Sequence, residues 1–133
     1  MNIGQAARAS GISAKMIRHY ESLGLLKPSR RADSGYRIYD ESDLHWLHFI
    51  RRARLLGFPL EQIRSLLSLW LDQGRASGDV KLIAEQHIDQ LNQRILELTQ
   101  MRDTLQQLAI TCHGDKKPDC PILQNLARPP AST

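Results

Sequence analysis

Apolar and polar residues recur with helical period through most of the chain, and one short basic stretch breaks that rhythm. Residues 1–11 predict a short helix rich in small side chains (Ala6, Ala7, Ala9), stopped by Gly11. Ser13 can cap a second helix to about residue 23. There Met16, Ile17 and Tyr20 follow the i, i+3, i+4 rule of an inward face, which leaves Lys15, Arg18 and His19 outward. Two short helices joined by a tight glycine turn match a helix-turn-helix, a weak signal when taken alone.

Residues 27–39, KPSRRADSGYRIY, carry different chemistry. Pro28 ends any helix, Asp33-Ser34-Gly35 are turn residues, and Tyr36 to Tyr39 alternate like a strand. A hairpin directly after a helix-turn-helix is a wing. Its Arg30, Arg31 and Arg37 suit phosphates or a minor groove, although a solvated surface hairpin has the same composition. Asp40 or Ser42 starts a third helix to about residue 56, with Trp46, Phe49, Ile50 and Ala53 as its expected buried stripe. Arg51, Arg52 and Arg54 lie near its end, where cations also suit the helix dipole. After Gly57-Phe58-Pro59 a fourth helix presents Leu60, Ile63, Leu67 and Trp70 inward, and residues 72–78 read as a loop.

Residues 79–111 hold neither Gly nor Pro, and Ala84, Leu91, Leu98 and Leu105 recur every seven positions. Ile88, Ile95, Met101 and Leu108 flank that row, and His87 sits on it as an expected interface histidine. Such a heptad predicts a rod of roughly 45 Å, too long to bury its seam in one small domain. A second copy of the chain resolves this, so a homodimer is expected.

Composition sharpens the picture in two ways. At 133 residues with 41% apolar and 5% aromatic content, the chain has room for one compact domain plus an assembly element. Neither a bilayer-length apolar run nor a secretory signal is apparent, so a cytoplasmic protein is expected. Net charge is +4, but residues 1–64 carry eleven Lys/Arg against six Asp/Glu, while residues 65–133 carry seven against eight. A basic N-terminal half suits a nucleic-acid surface.

The two cysteines, Cys112 and Cys120, stand in a nine-residue segment with Gly114 and Pro118, directly after the long helix. Converging thiolates can hold a soft monovalent ion in near-linear geometry. Structural zinc normally needs four Cys/His ligands, which the spacing does not supply. A reversible disulfide switch and two unrelated cysteines stay open as readings. His113 is an available third donor, but a residue beside a ligand more often points away. No Cys-x-x-Cys, glycine-rich nucleotide loop or Ser/His/Asp constellation is present, so no enzyme is expected.

The start MNIGQAA, the segments KMIRHYE (residues 15–21), SGYRIY (34–39) and RRARLLGF (51–58), and the closing CxGDxxPDCPIL (112–123) together resemble the MerR family of regulators, specifically its Cu(I)-responsive CueR-like branch. The likeness spans nearly the whole chain. It implies a mainly α fold: a winged helix-turn-helix DNA-binding domain, a long antiparallel coiled-coil dimerisation helix and a C-terminal metal-binding loop. The expected division is 1–71 for DNA binding, 72–78 as connector, 79–111 for dimerisation, 112–127 for metal and 128–133 as tail. It further implies a pseudo-palindromic promoter operator, RNA polymerase as a partner, and activation by distorting the DNA when metal binds.

By the same resemblance Lys15, Arg18, Tyr20, Arg31, Tyr36 and Arg37 are DNA contacts, with Arg54 as a further phosphate contact. Cys112 and Cys120 are the metal ligands. Divalent sensors of the family carry a cysteine at the start of the long helix, contributed by the partner subunit, where this chain has Ser77. The implied effector is Cu(I), with Ag(I) or Au(I) as alternatives, and the bis-thiolate complex is expected near backbone donors.

Overall fold

A computed structural model describes residues 1–27, 30, 31, 35–115 and 118–130, with the main chain alone at 30 and 31. The expected roles of Pro28, of the Asp33-Ser34 turn and of the Arg30 and Arg31 side chains lie outside the described residues. Contacts divide the chain into two units, Met1–Ile83 and Ala84–Thr133.

The first unit opens with α1 (Ile3–Ser10) and α2 (Ala14–Ser22). Asn2 and Gln5 form a reciprocal capping box on α1, so two backbone N–H groups at that end find acceptors. Gly11 closes α1 at φ 73, the left-handed conformation glycine tolerates best. The Ser13 side chain then accepts from the Met16 N–H and starts α2. The hairpin follows as β1 (Arg30–Arg31) and β2 (Arg37–Ile38), antiparallel, with Arg30 opposite Ile38 and Arg31 opposite Arg37. Tyr39 continues past β2 and meets the chain start. Its N–H donates to the Met1 carbonyl at 2.7 Å, and the Met1 ammonium donates to the Tyr39 carbonyl at 2.8 Å.

Helix α3 (Glu41–Leu55) begins in a second capping box, between Asp40 and Asp43. Helix α4 (Leu60–Leu71) begins after Pro59, which is its N-cap and not its first helical residue. Ile17, Leu47, Ile50 and Ile63 are the largest fully buried side chains, each contributing about 1.5–3 kcal/mol of burial. Around them close Ala6, Ile12, Leu25, Leu26, Ala53 and Leu67, so one core ties both helical pairs together.

The expected stripe of α3 needs a correction. Leu47 is in the core, whereas Trp46 and Phe49 are only half-buried at its edge. Together with His45 and Trp70 they form a chain of ring contacts with centroids 4.9–6.4 Å apart. Trp70, expected inside, stays half-exposed in that cluster. Large rings at the margin of a small core bury one face and leave the other wet.

Helix α5 (Ser77–Thr111) is 35 residues long, or about 52 Å. It starts two residues before the expected boundary and takes in Ser77 and Gly78. Ile88, Leu91, Ile95, Leu98, Met101 and Leu105 are all exposed along it, while His87 is buried already in the single chain. Among the described residues, no helix is long and apolar enough to cross a membrane. The cysteine segment leads into α6 (Pro121–Leu126), with Pro121 in the first turn, where the missing N–H costs nothing.

Candidate nucleic-acid interface and metal centre

Helix α2 buries Ile17 and Tyr20 and leaves Lys15, Arg18 and His19 exposed, so one face of a nine-residue helix is cationic and open. Tyr36 of the wing is 76% exposed. Arg54 is exposed in the last turn of α3. Lys15, Arg18, Tyr36 and Arg54 therefore stand where a polyanion can reach them.

Tyr20, also an expected DNA contact, is placed differently. At 5% exposure its ring is committed to the core, where it seats α2 on the domain. Its own helical spacing already indicated this, since it shares the inward face with Ile17. Arg37 is half-buried and lies, through Nη1, 3.3 Å from Oε2 of Glu21. Only the main chain of Arg31 is described, and it pairs with Arg37 in the hairpin.

The sequence assigns no partner to Glu21 or Arg51. Glu21 was legible as an acid ending an otherwise basic recognition segment. Arg51 lies across the helix-turn-helix corner, so close that a Cβ built on Gly11 would meet its Nε at 3.1 Å. That contact joins residues forty positions apart and leaves no local trace.

In the second unit, Cys112 and Cys120 are both half-buried and free. The backbone N–H groups of Leu123 and Ile122 and the Cys112 side chain lie toward the Cys120 sulfur. These donors hold the Cys120 thiol below the usual cysteine range, chiefly through Leu123, while partial burial pushes the other way. Two neighbouring cysteines with backbone donors turned toward one of them suit a thiolate pair and a soft ion. His113 is exposed. Among the described residues no group of three or more His, Cys, Asp and Glu side chains is arranged to hold a metal. Ser77 is the first residue of α5 and is exposed.

Comparison with known proteins gives these features a context. Residues 1–70 match the MerR HTH family regulatory protein description, and residues 44–108 match "MerR, DNA binding". The chain is 53% identical to the heavy metal-dependent transcription regulator 2 of Rhizobium meliloti, over 96% of this chain and 86% of that one. It is 42% identical to the HTH-type transcriptional regulator CueR of Salmonella typhimurium, over 96% and 92% of the two chains. Among solved structures, the regulator PbrR691 of Ralstonia metallidurans in complex with lead(II) superposes with a TM-score of 0.83 at 34% identity, covering 96% of this chain and 99% of that one. These relatives are regulators and not enzymes. The basic recognition helix, its wing and the long C-terminal helix thus have one common explanation: the chain belongs to the MerR family of transcription regulators.

Proposed function

We propose that the chain is a metal-responsive regulator that binds a pseudo-palindromic promoter operator as a homodimer. It activates transcription by distorting DNA when a monovalent soft ion binds, Cu(I) first and Ag(I) or Au(I) as alternatives. The pairing of Cys112 with Cys120, whose thiol is held below the usual cysteine range by the backbone N–H groups of Leu123 and Ile122, carries this reading. An ion there would supply a soft Lewis acid shared by two thiolates. The complex with a +1 ion keeps a net −1, which the two backbone donors favour. A +2 ion generally asks for more ligands, and Ser77 offers no thiol. Similarity to both CueR and a lead(II)-bound regulator supports a heavy-metal effector in general.

The open stripe on α5 supports dimerisation, and two-fold symmetry then supports a palindromic operator. Lys15, Arg18, Tyr36, Arg37 and Arg54 are proposed DNA contacts, with Arg31 beside Arg37 in the wing. Activation on the distorted promoter brings in RNA polymerase as the second partner. The function is exercised where the DNA is, in the cytoplasm.

The test is a transcription assay on the chain's own promoter with a panel of metals, joined to Cu(I) titration of the reduced protein. One Cu(I) per subunit, lost in Cys112→Ser and in Cys120→Ser together with the response, is expected. Both variants retaining the response would overturn the ligand assignment. The same cysteine pairing favours one second reading, a reversible disulfide. An oxidant that switches transcription with no metal present would select it.

A further inference from the structure

Glu21 ends the recognition helix with a carboxylate whose side chain is only 9% exposed. Its Oε1 accepts from the Tyr39 hydroxyl at 2.5 Å, and its Oε2 faces Nη1 of Arg37 at 3.3 Å. Both partners belong to the wing, one in β2 and one directly after it. The Tyr39 main chain is fixed in turn by the two hydrogen bonds to Met1. The Asp43 carboxyl, whose pKa is raised mainly by its burial, also feels the Glu21 charge.

A buried anion here is costly on two counts. Leaving water disfavours it unless it is paired. It also repels the phosphates that a basic half of a DNA-binding protein is built to meet. The Tyr39 hydroxyl gains a stronger bond from a carboxylate than from a neutral acceptor, although a neutral acceptor would still satisfy it. The charge acts on Arg37. A free arginine side chain has rotamer entropy to lose on docking, and Glu21 removes part of that freedom before DNA arrives. Arg37 keeps 30% of its side chain exposed, while its Nη1 is buried beside Glu21 without a hydrogen bond.

We infer that Glu21 is a positioning residue for DNA reading, which holds the Arg37 guanidinium at a fixed place beside the recognition helix and trades general phosphate affinity for discrimination. The inference rests on the DNA contact proposed above for Arg37.

The experiment measures affinity of the full-length protein for its operator and for a scrambled duplex, each at several salt concentrations, by fluorescence anisotropy. Glu21→Gln removes the charge and keeps an acceptor for Tyr39. Its operator affinity should fall while its scrambled-duplex affinity rises several-fold, shrinking the ratio of the two about ten-fold, or ~1.4 kcal/mol. In an Arg37→Ala background the same change should leave that ratio unmoved. An unfolded wing would lower both affinities together, and a pure charge effect would raise both together. Either result overturns the inference. Arg37→Ala with unchanged affinity and an unchanged salt slope sinks the Arg37 contact itself, whereas a weakened Arg37→Ala beside an inert Glu21→Gln sinks only the role of Glu21.

Discussion

The Arg75 guanidinium lies 5.6 Å from the centroid of the Trp70 ring, and its Nη1 donates to the carbonyls of Leu69, Trp70 and Asp72 at 3.5, 3.2 and 3.1 Å. Helix α4 ends at Asp72 with φ −87 and ψ 107, so no left-handed glycine satisfies its last carbonyls. Arg75 reaches back and supplies those donors, while the Asp72 side chain accepts from the Gly74 N–H at 2.9 Å and turns the chain. An exposed cation–π contact contributes about 0.5–1 kcal/mol. Arg75→Ala should therefore cost about 1–2 kcal/mol with the lost hydrogen bonds included. Arg75→Lys should fall between, because an ammonium lacks the planar fork. Urea denaturation followed by Trp70 and Trp46 fluorescence measures both, and an Arg75→Ala protein as stable as the parent would remove Arg75 as the cap.

Gly11 provides a second local test. At φ 73 it accepts no side chain without strain, and its N–H donates to Ala7 at 2.9 Å to close α1. Gly11→Ala should cost about 1–2 kcal/mol, the usual penalty of a left-handed residue with a Cβ. Arg51 also crowds the site, but it approaches with the flexible far end of its side chain. The expected loss should thus persist in an Arg51→Ala background. If removing Arg51 restored the stability, crowding and not backbone conformation would be the cause.

Why some of this was legible follows from the range of each interaction. Caps, turns and stripes are local, so Ser13, Gly11, Ile17, Ile63 and the α5 heptad could be read from spacing. The cysteine pair was legible because glycine and proline between Cys112 and Cys120 let a short segment fold back. Interactions between distant segments were not. Nothing near Glu21 announces Arg37 and Tyr39, and nothing near Arg51 announces Gly11. Trp46 and Leu47 were misjudged because adjacent helix positions both lie near a core boundary, where size and not period decides which is fully enclosed.

The stripe on α5 predicts the assembly. Leu91, Ile95, Leu98, Met101 and Leu105 are exposed in the single chain, with Leu98 at 53%. Burial in a two-fold interface counts each side chain twice, at about 1.5–3 kcal/mol apiece. Leu98→Glu would put two buried charges there instead. Sedimentation velocity at micromolar concentration should find it monomeric, with operator affinity reduced at least about a hundred-fold as the half-sites uncouple. Gln93→Glu, off the heptad row, should remain dimeric. A Leu98→Glu protein sedimenting as a dimer would place the interface elsewhere.

Ser77 predicts how metal choice can be changed. It opens α5, and in the proposed dimer the partner subunit presents this position to the thiol pair. A hydroxyl there adds no soft anion, so two thiolates and a +1 ion leave a net charge of −1. Ser77→Cys adds a third thiolate, which suits Zn(II), Cd(II) or Hg(II). The variant should respond to divalent ions in the transcription assay, and Cd(II) should produce sulfur-to-metal charge-transfer absorption that the parent lacks. Adding Cys112→Ser should abolish both signals, since a lone new cysteine cannot hold the ion. A Ser77→Cys protein with the parent's metal profile and no new absorption would mean that position 77 does not approach the cysteine segment, and the preference for monovalent ions would then have to arise from the donors around Cys120.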